Sequence, residues 1–357
     1  MTLRRYLTRL FLGRALGALL ALAGLLQLLD LLDRASEVLA RGGLLDVLRY
    51  AALRLPTLLG QAVPLAVLVG AALAFLRLSA TSEMAALRAA GVGGWRVFGA
   101  LLPASALAAA VQGALLFAVA PRTERALADW WDGRGAAATA GEPIAVPQRL
   151  WLRNGGDVVA VDAVSLDGRR LEGVLVVRRD EEGRVAARIE ARRAEHDAAA
   201  GWTLRDVSVV RPARPRAEAA AELAWLDGPP PAAMRGLARP TEAQPLDRLL
   251  AGSRGEGAAA RGAAFYETRL QSAAAMLATP FIMLLLAVPA AFGLPRQGGG
   301  AARRAAVGLA LGLGYLLAAG LSEALGEASL LPPALAAWAA PFVFAVAGFL
   351  LLQREEG

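Results

Sequence analysis

The chain has 357 residues, of which 56% are hydrophobic and 19% charged; all 38 basic residues are arginine, and the chain contains no cysteine and one histidine. A soluble domain averages about 25% charged residues, so this composition indicates a membrane protein. The missing residue types exclude disulfides, cysteine nucleophiles, multi-histidine metal sites and any ATP site built on a P-loop lysine, and we expect no cofactor.

Six stretches are long and apolar enough to cross a bilayer core, which takes about 20 residues of helix. Three precede a polar insert and three follow it, which predicts helices in residues 1–120, an inserted domain in 121–262 and helices again in 263–357. The first stretch could instead be a signal peptide, but no small-x-small cleavage site closes it. The six run approximately over Phe11–Leu32, Leu55–Leu76, Val97–Ala120, Leu270–Phe292, Ala305–Leu325 and Pro333–Leu352.

The arginines predict the orientation of these spans. With the N-terminus in the cytoplasm, the cytoplasmic loops and span ends carry 11 arginines and three acidic residues, whereas the opposite short loops and span ends carry five arginines and seven acidic residues. By the positive-inside rule, both termini are cytoplasmic and the insert lies outside. The net charge of +7 does not indicate a nucleic-acid partner, because the surplus arginines flank hydrophobic spans.

The loop after the second stretch, residues 82–91, predicts a short cytoplasmic helix. Ser82 is a candidate N-cap, Glu83 lies in the first turn, where a negative charge favours the helix dipole, and Gly91 can end the helix. Such a helix is either a docking element for a soluble partner or an ordinary turn between two spans, and composition alone does not decide between them.

Charged residues cluster at the predicted outer ends of the first three spans. Arg34 ends span one, Arg54 opens span two, and Arg122 and Arg125 share one helical face just after span three. Arginines at a membrane boundary can bind phosphorylated head groups. They can equally pair with nearby carboxylates, as Arg34 could with Asp30, or extend to the interface.

The insert changes to the period of β-strands, with short β-prone runs separated by turns that contain glycine, asparagine or aspartate. This spacing predicts a sandwich, barrel or jellyroll. A stretch rich in proline and glycine, Gly228–Gly262, predicts a flexible linker out of the domain. The runs are Leu150–Arg153, Val158–Val164, Leu171–Arg178, Val185–Ala191 and Trp202–Val210.

Four segments together resemble the LptF/LptG family, the permeases of the lipopolysaccharide-export transporter. Their order and spacing cover nearly the whole chain. They are the loop 82–91; Ala120-Pro121-Arg122 after span three; Leu150–Gly155, Asp167–Gly173 and Gly201–Val207 in the insert; and Pro280–Pro289 followed by Phe292–Arg296.

The resemblance implies an inner-membrane permease with six transmembrane helices and an inserted periplasmic β-jellyroll. It also implies a second, LptF-like permease as heterodimer partner, a dimeric LptB-like cytoplasmic ATPase and an LptC-like periplasmic protein. Such a permease extracts lipopolysaccharide from the inner membrane and passes it toward a periplasmic bridge. It has no catalytic residue and no cofactor of its own, since the partner hydrolyses ATP.

The family's functional residues are carried over by motif. The coupling glutamate that contacts the ATPase falls on Glu83, and Arg88 and Gly91 belong to the same motif. The family's basic residue at the outer end of span one falls on Arg34, and those just past span three match Arg122 and Arg125. Arg54 joins these as a lipopolysaccharide-binding candidate because it opens span two.

Within the family the chain is more similar to LptG. A long first loop, the sequence Leu53–Pro56 at the start of span two, and Leu331–Pro333 with Trp338 before span six indicate that branch. The LptF-type subunit is the alternative. Two other classes compete: a membrane-embedded lipid-modifying or proteolytic enzyme, and a permease-like protein that signals without transport.

Overall fold

The structure is a computed structural model of the chain. It describes residues 3–135, 143–165, 167–180, 182–212, 214–238, 246–254, 258–259, 261–292 and 301–354. The chain forms two compact units, one made of Met1–Leu127 with Thr268–Gly357 and the other of Ala128–Glu267. Arg296 and most of the predicted Phe292–Arg296 segment lie outside the described residues.

The first unit is helical. A six-residue π-helical segment, Ala114–Val119, joins the helices Gly94–Gly113 and Ala120–Gly135 without a break. Two short helices, Pro231–Ala238 and Leu246–Ser253, belong to the second unit. The helices are α1 Leu3–Gly42, α2 Leu44–Ala80, α3 Glu83–Ala89, α4 Gly94–Gly113, α5 Ala120–Gly135, α6 Pro231–Ala238, α7 Leu246–Ser253, α8 Ala263–Met276, α9 Thr279–Phe292, α10 Ala301–Glu327 and α11 Pro333–Arg354.

Among the described residues, five helices are long and apolar enough to cross a membrane. The predicted fourth span is instead two helices, Ala263–Met276 and Thr279–Pro289, bent by 49°. The pair makes a sixth crossing if it is counted as one span. Pro280 stands at the start of the second helix, where a missing backbone N–H costs no internal hydrogen bond.

The prediction of a long loop between the first two spans is wrong. Only Gly43, at φ +84°, separates α1 from α2. The residues between the two predicted spans are mostly leucine, alanine and arginine, which are good helix formers, so both helices continue through them. At about 1.5 Å per residue α1 is about 60 Å long, twice the thickness of a bilayer core.

Helix α2 is the centre of the helical unit. In an apolar segment of 18 residues, 67% of α2 is buried, against 11% of the corresponding segment of α1. Gly70 allows α1 to approach closely, because a Cβ there would lie 2.4 Å from the Cα of Ala15. The exposed leucines of α1 leave a broad apolar face for lipid or for another protein. They include Leu16, Leu20, Leu25, Leu28, Leu29 and Leu32.

The second unit contains an antiparallel sheet. Its order is β6-β5-β4-β3-β2-β1-β7, so strands β1 to β5 each pair with the next strand along the chain, and the short β7 pairs with β1. The strands are β1 Pro143–Asn154, β2 Asp157–Ser165, β3 Arg170–Arg179, β4 Val185–Asp197, β5 Gly201–Arg211, β6 Arg214–Trp225 and β7 Ala258–Ala259.

The structure adds one strand to those predicted for this unit and corrects the predicted linker. Strand β6 was not predicted, because its alanines and glutamates favour helix and hide the strand period. The predicted flexible linker Gly228–Gly262 contains α6, α7 and β7. Met234 of α6 is fully buried in the apolar core of the sheet, which accounts for the order of that helix.

One face of the sheet forms this core. Val159 on β2 pairs with Val176 on β3, and both are fully buried, as are Val161 and Val174. Trp202 on β5 closes one end, where its Nε1 donates to the carbonyl of Pro229 at 2.7 Å. The alternation predicted for these strands is confirmed for the inward-facing valines.

Candidate functional site

A charged cluster joins α1, α2 and α5, and we call it the Arg54 cluster: Asp30, Tyr50, Arg54, Thr57 and Glu124. Arg54 Nη1 donates to Glu124 Oε1 at 2.7 Å, and Arg54 Nε lies 3.4 Å from Asp30 Oδ1. The hydroxyl groups of Thr57 and Tyr50 donate to Glu124 (2.7 Å) and to Asp30 (2.6 Å), respectively. Each carboxylate therefore accepts hydrogen bonds from two partners.

The cluster is buried, which fixes its structural role. Arg54 is 7% exposed and Glu124 6% exposed. Charges removed from water are tolerated when they are paired and their remaining hydrogen-bonding capacity is used, as here. Because Asp30, Arg54 and Glu124 belong to three different helices, the cluster fixes the positions of those helices relative to one another.

Of the four arginines predicted to bind lipopolysaccharide at the outer ends of the spans, the three other than Arg54 are exposed. Arg34 lies one turn beyond Asp30 on α1, and Asp30 pairs with Arg54. Arg122 and Arg125 lie on α5, on either side of Glu124 along the chain, and Arg122 donates to the carbonyl of Ala118 in the preceding turn. The structure thus separates one buried arginine from three that face outward.

Sequence reasoning missed Glu124, Tyr50 and Thr57. The available signal was Glu124 itself, an acidic residue between Arg122 and Arg125 at the end of an apolar span. An arginine that opens a span, such as Arg54, needs a carboxylate partner if it becomes buried. Glu124, on α5 just after span three, was a carboxylate available to pair with Arg54.

The predicted short helix after α2 is present as α3, Glu83–Ala89. Ser82 occupies the N-cap position, as predicted, but it has φ +59° and its side chain makes no capping hydrogen bond. The C-terminal end follows the prediction. Gly91, at φ +72°, donates to the carbonyl of Arg88 at 2.9 Å, and Val92 donates to that of Leu87 at 3.0 Å, the two bonds of a Schellman motif.

Glu83 is held by hydroxyl groups rather than left free. Tyr6 of α1 donates to Glu83 Oε2 at 2.7 Å, and Thr81 donates to Oε1 at 2.9 Å. These two hydrogen bonds lower the pKa of Glu83, with a further contribution from the charge of Arg77, so its carboxylate is ionised at neutral pH. Met84 is buried beneath the helix, and Arg88 is half-buried.

Hydrogen bonds and ion pairs also connect α8 with α10 and α11. Arg269 on α8 pairs with Glu327 at 2.5 Å and Glu323 at 3.5 Å, both on α10. Trp338 on α11 donates to Gln271 on α8 at 3.1 Å. Within the described residues, no group of three or more His, Cys, Asp or Glu side chains could hold a metal ion.

One comparison with known proteins gives a match. A family model, described as lipopolysaccharide export system permease LptF/LptG, matches residues 5–354, nearly the whole chain. No curated protein matches the chain.

Proposed function

The chain belongs to the LptF/LptG family of lipopolysaccharide export permeases, and from this premise we propose that it is the LptG-type subunit of an ATP-driven transporter in the bacterial inner membrane. In this role it extracts lipopolysaccharide from the membrane and passes it to a periplasmic bridge. The match over residues 5–354, which takes in both the apolar helices and the inserted sheet, carries the family assignment. The choice of the LptG type rests on Leu53–Pro56 at the start of span two and on Leu331–Pro333 with Trp338 before span six.

The proposed topology has six spans with both termini in the cytoplasm. Helices α8 and α9 together form the fourth span, and the unit Ala128–Glu267 is the periplasmic jellyroll of the family. The distribution of arginines supports this orientation. Alkaline phosphatase fused after residue 200 should be active and fused after residue 85 inactive; the reverse pattern would exclude this topology.

At the proposed cytoplasmic end, α3 couples the permease to a dimeric ATPase. Glu83 presents a carboxylate whose position is set by Tyr6 and Thr81, and Gly91 ends the helix cleanly. An ionised carboxylate held in one position can pair with an arginine or lysine of a soluble subunit. Arg88, in the last turn, is the second residue of α3 that we assign to this contact.

At the proposed periplasmic end, the exposed Arg34, Arg122 and Arg125 bind the phosphates of lipid A. Guanidinium groups suit this task because they form bidentate contacts with phosphate oxygens. Arg54, also a candidate from the sequence, has its guanidinium between Asp30 and Glu124. We therefore assign Arg54 a positioning role: it holds α2 against α1 and α5, the two helices that display the other arginines.

The apolar face of the sheet offers a path for the acyl chains. Its valines at 159, 161, 174 and 176 are packed against one another, so a chain could enter only if this core opens. A photo-crosslinking residue at these positions should capture lipopolysaccharide in the assembled transporter when ATP is supplied. Equal capture without ATP would contradict directed passage through the sheet.

A further inference from the structure

A groove between α1 and α2 lies at the end of the helical unit opposite the Arg54 cluster, and we call it the inner groove. Its volume is about 570 Å³. Three arginines line it: Arg9 and Arg14 on α1, and Arg77 on α2. All three are exposed, so their charged groups surround an open space rather than packing against protein.

The groove is open because two of the α1 residues that line it are glycines. Gly13 and Gly17 are part of its lining, and a Cβ added at either would meet nothing within 4 Å. At Gly70 the same two helices touch so closely that no side chain fits. The gap therefore lies beside a close crossing of the two helices, and it is shaped by the backbone.

The positive charge of the groove is not balanced by an ion pair within the part of the chain that the structure describes. Among the described residues, no carboxylate lies within ion-pairing distance of Arg9 or Arg14. The charge of Arg77 acts on Glu83, whose carboxylate already accepts hydrogen bonds from Tyr6 and Thr81. A groove with three arginines and no acidic lining residue favours an anionic ligand.

We propose that the inner groove binds the phosphate head group of an anionic phospholipid from the cytoplasmic leaflet. Three guanidinium groups around one cavity can share the oxygens of a single phosphate, and basic pockets between transmembrane helices on this side of a membrane suit such head groups. The exposed Leu16 and Leu20 continue from the groove along α1 and offer an apolar surface to the acyl chains. The choice of leaflet rests on the topology proposed above.

Native mass spectrometry of the full-length chain tests the proposal. The probes are phosphatidylglycerol and the zwitterionic phosphatidylethanolamine, each added to delipidated protein. The variant carries Arg9→Gln, Arg14→Gln and Arg77→Gln. The matched control, Arg4→Gln, Arg5→Gln and Arg303→Gln, removes the same charge from exposed arginines that do not line the groove.

We expect phosphatidylglycerol affinity to fall about tenfold or more in the groove variant relative to the control. Equal losses in both would mean that only general surface charge acts, and would overturn the proposal.

A second pair of variants keeps the charge and changes the space. Gly13→Leu places a side chain in the groove, whereas Gly24→Leu, on the same helix, meets open space outside it. Gly13→Leu should weaken phosphatidylglycerol binding, and Gly24→Leu should not. Binding unchanged by Gly13→Leu would overturn the proposal even if the triple variant failed to fold.

Soluble glycerol phosphate, added as competitor, separates a lipid site from a phosphate site. It should displace phosphatidylglycerol only at much higher concentration, because it lacks acyl chains. Displacement at equal concentration would show that the groove binds a free phosphate rather than a lipid, and this result would refute the proposal. These measurements need no transport, so they can fail while the fusion experiments uphold the permease topology, and the reverse also holds.

Discussion

Helices α1 and α2 carry arginines at both ends, and the two ends treat them in opposite ways. At one end Arg54 is buried between Asp30 and Glu124, with hydroxyl groups completing the hydrogen bonds of both acids. At the other, Arg9, Arg14 and Arg77 remain exposed around the inner groove. The difference lies in the neighbours, because α5 brings Glu124 to the first end and no lining residue of the groove is acidic.

This comparison teaches what an arginine beside a membrane span can do. A buried arginine must be paired, so it fixes helices and is not available to a ligand. An exposed arginine stays hydrated and can exchange water for a phosphate. The predictions below separate these two roles, starting with the change that should cost most.

Removal of Glu124 should have the largest effect. Glu124→Ala removes a carboxylate that pairs with the buried Arg54, and breaking a buried ion pair costs about 3–5 kcal/mol. The thermal unfolding midpoint of the purified chain should fall clearly. Asp129→Ala, at an exposed site on the same helix, is the control and should leave the midpoint nearly unchanged.

The double variant Arg54→Met with Glu124→Leu sharpens the test. It removes both charges of the Arg54–Glu124 pair and keeps the volume, while Asp30 keeps the Tyr50 hydroxyl as donor, so it should recover part of the lost stability. If the double variant were as unstable as Glu124→Ala alone, the cost would not come from an unpaired charge.

Charge reversal on α3 should have the next largest effect. Glu83→Arg places a positive charge where the ATPase is proposed to present one, so ATPase recovered with the permease should fall about tenfold or more. Glu37→Arg, an equal reversal on an exposed part of α1 far along the helix, should have no such effect. Undiminished recovery with Glu83→Arg would leave α3 as an ordinary turn between spans.

The exposed arginines should show a smaller, graded effect. Arg34→Gln removes one proposed phosphate contact and Arg34→Glu adds repulsion, so lipopolysaccharide release from membrane vesicles should drop several-fold and more strongly for the second change, by about 1 kcal/mol per charge near the surface. Because Asp30 pairs with Arg54, Asp30→Asn should not rescue Arg34→Gln. Rescue would show that Arg34 serves only to balance Asp30.

Gly91→Ala should have the smallest effect. The left-handed conformation at φ +72° costs a residue with a side chain about 1–2 kcal/mol. Hydrogen exchange at the amide of Val92, which closes the end of α3, should become faster by about tenfold. Unaltered exchange would mean that α3 does not depend on this cap.

The sequence predicted those features that depend on local pattern. Apolar length indicated the spans, alternation indicated β2 to β5, and Gly91 indicated the end of α3. The features it missed depend on distant contacts or on misleading composition. Strand β6 is rich in alanine and is held by pairing with β5. The bend between α8 and α9 lies inside a predicted apolar span, just before Pro280.

The same limit applies to the candidate site. Arg54 and Arg34 look alike in the sequence, since both are arginines at a span end, yet one is buried and the other exposed. Glu124 decides between them, and it lies 70 residues from Arg54 along the chain. Only packing of α5 against α2 brings the two together, and no local pattern encodes that contact.

Site-specific photo-crosslinking in cells tests the central claim, that this chain carries lipopolysaccharide past exposed arginines at its periplasmic end. A photo-reactive residue would replace Arg34 or Arg125, and Arg14 in the inner groove would serve as the comparison. We predict lipopolysaccharide adducts at positions 34 and 125 when the ATPase is active, and none at position 14. Adducts at position 14 alone, or at none of the three positions, would contradict the account.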